Sequence, residues 1–401
     1  MVSSEPTVVR SKHVEPSPRS HTEWQQRAAV LGHLIERYAD DIEQTQRFPE
    51  PLLTGLHEEG LLRMLLPRCY GGGEVPPSDY LLAIEELARH DGSVGWNAFV
   101  ANSAALIAPF LSAQSARAIF DGPTVIAWGP PNACEAHAVP GGYQVSGRWP
   151  FASGCRQASW MGVHCRVRAG ADYRRNAAGT PIIRTLLFPA ENARLLDDWD
   201  PIGLRGTASG SYELHDVFVE EAFSATREEP ERRQIEGPLY AFTMQGLYAV
   251  GVAGVMLGIA GAMLEALLTL SKEKQPRGVE RLADNPNLQE TVARCTAALD
   301  SSRSWLVCVL DELFVSAPRD GAIDIPSRAR VRLSASHAIQ SAIEVGDRVY
   351  REAGVSAIFP GSPFERRFRD LHTASQQIQS RTTHFRSIGH VLMGGEPDVF
   401  F

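Results

Sequence analysis

The feature that most limits what this chain can fold into is the stretch Leu247 to Leu264, LYAVGVAGVMLGIAGAML, eighteen residues without a charge. A run of that length meets the lower limit for a membrane span; its other natural setting is the middle of a large helical bundle, covered on every face. It has no basic flank and no Trp belt. Glycines at 251, 254, 258 and 261 let a neighbouring helix approach closely. The buried bundle helix is therefore expected, and the rest of the chain must supply the helices that cover it.

With 401 residues, 44 % hydrophobic and 21 % charged, the chain has ample material for such a core. A net charge of -8 gives no positive field to gather phosphates, which argues against a nucleic-acid or anionic-membrane partner. Six cysteines without a CxxC pair, and no histidine at zinc-module spacing, point to a reduced cytoplasmic protein with no metal. Residues 1–21 are polar and proline-bearing and read as a disordered lead-in.

Periodicity divides the remaining residues into three blocks. Residues 22–123 are helical, with a helix from Trp24 to Tyr38, a helix after a Ser78 cap, and a stop at Asp91-Gly92 with Ser93 capping the next. Residues 124–235 carry short apolar segments between turn residues, TVIAWG, GGYQVSGRW, SWMGVHCRV, PIIRTLLFP and SYELHDVFV, as in an antiparallel β-domain. Residues 236–401 return to long helices, at Leu288 to Val315, Ser327 to Gly354 and Phe364 to Met393. The fold class is α+β: helical domain, central antiparallel β-domain, C-terminal helical bundle.

Within the β-domain, VSGRWPFASGC (145–155) reads as a strand that runs out at Pro150 into a Ser/Gly turn. Trp149, Phe151 and Ser153 then stand where strand becomes loop, a plausible edge for a flat, polar-rimmed heterocycle; a packed aromatic strand end is the plainer alternative.

Several stretches resemble the acyl-CoA dehydrogenase superfamily: LLRMLLPRCYGGGEVPPSDYLLAIEELARHDGSVGW, WDPIGLRGTASGSYELHDVFV (199–219) and FERRFRDLHTAS. A dehydrogenase of that family needs a carboxylate base beyond the Arg-Asp pair or in a mid-domain helix. Here those places read Ser375-Gln376-Gln377-Ile378-Gln379 and AFTMQGLYAVG, and an amide abstracts no proton. GRWPFASGC, Ser93-Val-Gly-Trp96, the Trp-Gly-Pro-Pro at 128 and RDLHTAS are instead similar to the two-component flavin-dependent monooxygenases of the group D type.

That resemblance implies an enzyme taking reduced FMN or FAD from a separate NAD(P)H-dependent flavin reductase. It would bind O2, form a C4a-hydroperoxyflavin and hydroxylate a small aromatic or N-heteroaromatic molecule, an indole-type ring among them. It also implies a homotetramer. Ser153 is the first candidate for hydrogen bonding flavin N5, with His372, Gln376 and Gln377 for proton exchange. Trp128, Trp149, Phe151, Thr207, Ser209 and Arg369 are the candidate cofactor contacts, and Trp96, Asn97 and His90 the candidate substrate wall. His90 suits its helix C-terminus equally as a structural residue, and His384 lies on the His372 face farther on. An acyl-CoA dehydrogenase-type FAD enzyme and a non-catalytic homologue of the fold are the alternatives.

Overall fold

The computed structural model describes residues 22–176, 179–226, 232–275 and 281–397. The expected lead-in 1–21 and part of the charged connector after Val219 lie outside the described residues. Six helices come first: α1 (Glu23–Val30), α2 (Gly32–Thr45), α3 (Glu50–Glu58), α4 (Pro77–His90), α5 (Gly92–Ala105) and α6 (Ala113–Phe120). The helix expected from Trp24 to Tyr38 is interrupted at Leu31, which caps α1 and opens α2. Two capping expectations shift by a residue or two. Pro77 starts α4, because its missing N–H needs no acceptor there, and Ser78 instead hydrogen bonds Asp311. Asp91 rather than Ser93 caps α5, accepting Ser93 N at 2.8 Å and Val94 N at 3.0 Å.

The strands β1 (Ile126–Trp128), β2 (Glu135–Val139), β3 (Gly142–Trp149), β4 (Trp160–Ala169), β5 (Asp172–Tyr173), β6 (Ile183–Pro189), β7 (Arg194–Leu195), β8 (Tyr212–Glu220) and β9 (Ser224–Ala225) come next. They form one sheet in the order β7-β8-β3-β2-β4-β6-β9, with β1 and β5 also paired to β4. Most pairings are antiparallel as expected, but β4 runs parallel to both β1 and β2, so the sheet is mixed. Alternating residues of β3, β4 and β8 bury Tyr143, Val145, Met161, Val163, Tyr212 and Leu214 in one core.

The C-terminal bundle holds α7 (Met244–Glu273), α8 (Pro286–Ser316), α9 (Ile325–Ala353), α10 (Glu365–Ser375) and α11 (Thr383–Leu392). The uncharged run is the centre of α7, and 94 % of its most apolar window is buried inside the protein. Its glycines act as expected from their spacing. A Cβ on Gly258 would lie 2.3 Å from Glu85 O, and one on Gly251 2.5 Å from Tyr80 Oη, so α4 packs directly on the α7 backbone. Residues of the first helices and of the bundle thereby share one hydrophobic core. The helix expected from Phe364 to Met393 is broken at 376–382 by a short 3₁₀ turn, Ile378–Ser380. Gln377 supports that break by accepting Gln379 N on its side chain.

Candidate active site

β3 ends at Trp149 because Pro150 has no N–H to continue a ladder. Phe151 (φ 61°) and Gly154 (φ 78°) then turn the chain through the left-handed region. Ala152 N donates to Gly210 O at 3.0 Å and Gly154 N to Thr207 O at 2.8 Å, lacing this turn to residues 204–210. That second segment is itself bent by two left-handed non-glycine residues, Leu204 (φ 52°) and Ala208 (φ 48°). Such backbone persists only where its surroundings hold it. Asp370 of α10 is the holder, accepting Leu204 N at 2.5 Å from a fully enclosed position.

Between the laced segments runs a line of buried hydroxyls. Trp96 Nε1 donates to Ser153 Oγ at 3.2 Å, Ser153 Oγ lies 2.6 Å from Ser209 Oγ, and Ser209 Oγ lies 2.7 Å from Thr207 Oγ1. Thr207 Oγ1 donates to Leu204 O at 2.7 Å. Each hydroxyl has one proton and two lone pairs, so the line has a direction. With Thr207 donating to a carbonyl, Ser209 donates to Thr207 and Ser153 donates to Ser209. Ser153 is left with one lone pair and no proton to give. Beside it, Asn97 Nδ2 donates to Gly206 O at 3.3 Å, while the buried Asn97 Oδ1 has no partner. A side chain at Gly154 would come within 3.5 Å of that oxygen, so the glycine keeps the approach to it open.

A cleft of about 280 Å³ borders this cluster, lined by Arg47, Cys155, Arg156, Trp199, Ala208 and Gly210 among others. Arg156 is paired with Asp197 at 2.5 Å. Burial pushes the Cys155 thiol up to about 11, so it is no thiolate at neutral pH. Phe151 stands 60 % exposed at the same end, its ring edge-on to Trp199 at 6.3 Å.

The structure therefore brings Trp96, Asn97, Ser153, Thr207 and Ser209 together, with Phe151 at the rim. The other candidates lie elsewhere or are otherwise engaged. Trp149 is fully buried and stacked on Tyr212 at 5.7 Å, so it is a core residue of the sheet and presents no edge to the turn. Trp128 is 8 % exposed and packs edge-on to His164 at 5.0 Å, in a cluster between sheet and first helices. Arg369 is held by Glu43 at 2.8 Å and Glu365 at 2.5 Å and donates to Ile202 O at 2.6 Å, which leaves no free fork for a phosphate. His90 contacts Glu36 at 2.8 Å and Glu86 at 3.4 Å; the Glu86 hydrogen bond raises its pKa, and it is a structural ion-pair residue. His372 bonds Asp347 of α9 at 3.0 Å and packs on Phe368. Gln376 is exposed and bonds Ser375 Oγ at 3.0 Å, and Gln377 is occupied at the 3₁₀ turn. His384 sits against Ile378 O at 2.8 Å, its pKa lowered by burial.

Two families of known domains match the chain: the acyl-CoA dehydrogenase N-terminal domain over residues 24–117 and the acyl-CoA dehydrogenase C-terminal domain over residues 250–381. The chain belongs to the acyl-CoA dehydrogenase family. Among its relatives is an indole-3-acetate monooxygenase of Acinetobacter baumannii, 28 % identical over 376 residues, which are 92 % of this chain and 94 % of that protein. Another is the flavin-dependent monooxygenase oxygenase subunit HsaA of Rhodococcus jostii, 25 % identical over 86 % of this chain and 91 % of that one. Of solved structures, XiaF from Streptomyces sp. in complex with FADH2 and glycerol superposes with a TM-score of 0.85 at 22 % identity, covering 94 % of this chain and 96 % of that one. TdsC from Paenibacillus sp. A11-2 with FMN and indole gives a TM-score of 0.78 at 20 % identity, covering 94 % and 99 %.

In this acyl-CoA dehydrogenase-type chain the two places where a thioester base is expected hold no carboxylate: Gln376 and Gln377 stand at one, and residues 241–251 have no Asp or Glu. Reading of the sequence alone missed Asp370 as the anchor of the Leu204–Ser209 segment. The signal in the sequence was the Arg-Asp pair itself, in which Arg369 pairs with Glu43 and Glu365 and leaves Asp370 to accept Leu204 N.

Proposed function

We propose that this chain is the oxygenase component of a two-component flavin-dependent monooxygenase, taking reduced FMN or FAD from a separate NAD(P)H-dependent reductase and hydroxylating a small aromatic molecule, an indole-type ring among them. The observation that carries this reading is the directional hydroxyl line ending at Ser153. A hydroxyl that already donates to Ser209 and accepts from Trp96 has only a lone pair left. It suits a ring N–H, which a reduced flavin presents at N5 and an oxidised flavin lacks. The buried free acceptor Asn97 Oδ1 adds to an environment that favours N–H donors.

When bound, reduced flavin supplies two electrons and, with O2, the oxygen atom: one atom enters the aromatic C–H as hydroxyl and the other leaves as water. The chain binds, orients and excludes solvent. Ser153 and Asn97 hold ring N–H groups, Phe151 and Trp199 offer aromatic surface at the rim, and Arg47 offers a cation at the cleft. Buried Trp96 and the apolar α5 behind it keep water from the hydroxyl line. The activities named for the relatives support this reading, and the missing carboxylates speak against an acyl-CoA dehydrogenase. The six cysteines are all unpaired, as a reducing cytoplasm leaves them. A homotetramer is part of the proposal, with exposed Val355, Ile358 and Phe359 as apolar surface for a second copy.

The test supplies the full-length protein with FMN or FAD, an NADH-dependent flavin reductase, air, catalase and indole, and quantifies oxygenated indole against flavin turned over. Product above the protein-free control supports the reading. No product with either flavin, together with bleaching of bound oxidised FAD by an acyl-CoA, contradicts it.

A further inference from the structure

The most unusual charge in the molecule lies away from the hydroxyl line. Arg332 of α9 is 1 % exposed and has no carboxylate partner among the described residues. Burying a guanidinium without a counter-charge is costly, and natural proteins keep such groups where an anion completes them. Its surroundings supply only neutral acceptors. Arg332 Nη1 donates to Gln379 Oε1, and Nη2 donates to Gln245 O at 3.3 Å. Its Nε, also buried, has no acceptor at all. One turn on, and on the same face of α9, the Ser336 hydroxyl is likewise buried and unpartnered. His384 lies close enough to feel the Arg332 charge, and Arg332 has no ion-pair partner among the described residues to offset it.

The place of this cluster matters. Gln245 opens α7, and Gln379 belongs to the 3₁₀ turn that interrupts the last helices. A row of rings connects this end to the hydroxyl line. Trp96, bonded to Ser153, meets Phe99 edge-on at 4.8 Å, and Phe99 meets Tyr248 edge-on at 4.9 Å. Tyr248 lies one turn beyond Gln245 on α7. A run of rings thus extends from Trp96 at the Ser153 end to Tyr248, on the helix whose Gln245 O accepts from Arg332.

We infer that Arg332, with Ser336, is the carboxylate-binding end of the substrate site, and that the substrate is an aromatic monocarboxylic acid whose ring lies along the Trp96–Phe99–Tyr248 row. This rests on the oxygenase reading and narrows its substrate class. Gln379 Oε1 occupies the position a carboxylate oxygen takes, and the amide swings aside when the acid enters. The acid then accepts from the guanidinium fork and from Ser336. Full burial, which weakens water's competition, strengthens that pairing. Burial without a partner has already lowered the Arg332 pKa to about 10, the sign of a cation lacking its anion.

The experiment is anaerobic calorimetric titration of the full-length protein, in saturating reduced FMN, with indole-3-acetate and with its uncharged counterpart 3-methylindole. The wild type binds the acid more tightly than the neutral ring. Arg332→Met weakens the acid by roughly 30-fold or more, as expected for loss of one partner of a buried charge pair, and leaves 3-methylindole within about 3-fold. Arg332→Lys keeps part of the acid affinity. Melting of ligand-free Arg332→Met is the second readout: replacing an uncompensated buried cation by an apolar chain leaves the melting temperature unchanged or raised. Equal binding of the two ligands by wild type, no binding of the acid, or parallel loss of both ligands with a lowered melting temperature in Arg332→Met overturns the inference. The two readings fail separately. Oxygenation of 3-methylindole without preference for the acid removes the anion site alone, whereas tight acid binding with no oxygenation of either ligand removes the oxygenase.

Discussion

Replacing Ser153 by alanine tests the hydroxyl line at its centre. The variant removes the acceptor of Trp96 Nε1 and the donor to Ser209, and Trp96 is 7 % exposed, so water does not take the vacant role. A buried donor left without an acceptor costs about 1–3 kcal/mol. Ser209→Ala is the matched control: it strands a buried donor as well, the Ser153 hydroxyl, but leaves the Trp96–Ser153 bond intact. The functional loss is of another order. Loss of one preorganised hydrogen bond at a reacting centre costs about a hundredfold, about 2.7 kcal/mol. The assay mixes each variant with photoreduced FMN or FAD, admits air with indole present, and measures product and hydrogen peroxide per flavin reoxidised. Ser153→Ala is expected to divert nearly all flavin oxidation to peroxide, and Ser209→Ala to retain an intermediate yield. Wild-type product per flavin in Ser153→Ala would refute the assignment, whatever its melting temperature.

Three further outcomes rest on particular contacts. Gly258→Ala drives a Cβ to 2.3 Å from Glu85 O and should cost about 1–3 kcal/mol or more of stability, whereas Gly389→Ala on α11 meets nothing within 4 Å and should be neutral or stabilising, both read by chemical denaturation. Burial, then the nearby Asp91 charge, raises the Asp370 pKa to about 7, so the folded state holds a proton that the unfolded chain releases in the ordinary carboxylate range. Its contribution to stability is present at low pH and lost as pH rises from that range through about 7; Asp370→Asn, still able to accept Leu204 N, should therefore melt progressively higher than wild type between pH 5 and pH 8. His372→Ala removes a half-buried contact to Asp347 and should change product yield less than twofold, with at most about 1 kcal/mol of stability lost; a large fall in yield would restore His372 to the proton path.

Much of the architecture was legible in the chain because it is carried by period and punctuation. The uncharged run with glycines at close helical spacing dictated a central helix and the near contact with α4, and the turn residues after Asp121 marked the change to strands. The break at 376–382 was not legible. No Gly or Pro lies there, and the interruption depends on side-chain bonds such as Gln377 to Gln379 N that compete with helix only once the ends are packed. Of the candidate site, the strand-to-turn passage at Pro150 was legible and placed Ser153 in the turn. Its partner Trp96 lies 57 residues away, and only the tertiary fold brings the two together. Trp149 misled because alternation along β3 places it on the core face, opposite to the turn beyond it. Arg332 was invisible for a related reason: within RARVRLS it reads as one more basic residue of a solvated helix face, and only the packing of α7 and the 3₁₀ turn against α9 encloses it.

The most direct test of the central claim is the origin of the oxygen in the product. The wild-type protein is mixed anaerobically with chemically reduced FMN or FAD and an indole-type substrate, heavy-isotope O2 is admitted, and the product is weighed by mass spectrometry. An oxygenase of this kind yields a hydroxylated product carrying a single heavy oxygen atom, formed with reduced flavin and absent with oxidised flavin. An oxygen atom derived from water, or quantitative reoxidation of the flavin with both oxygen atoms recovered as hydrogen peroxide, would contradict it.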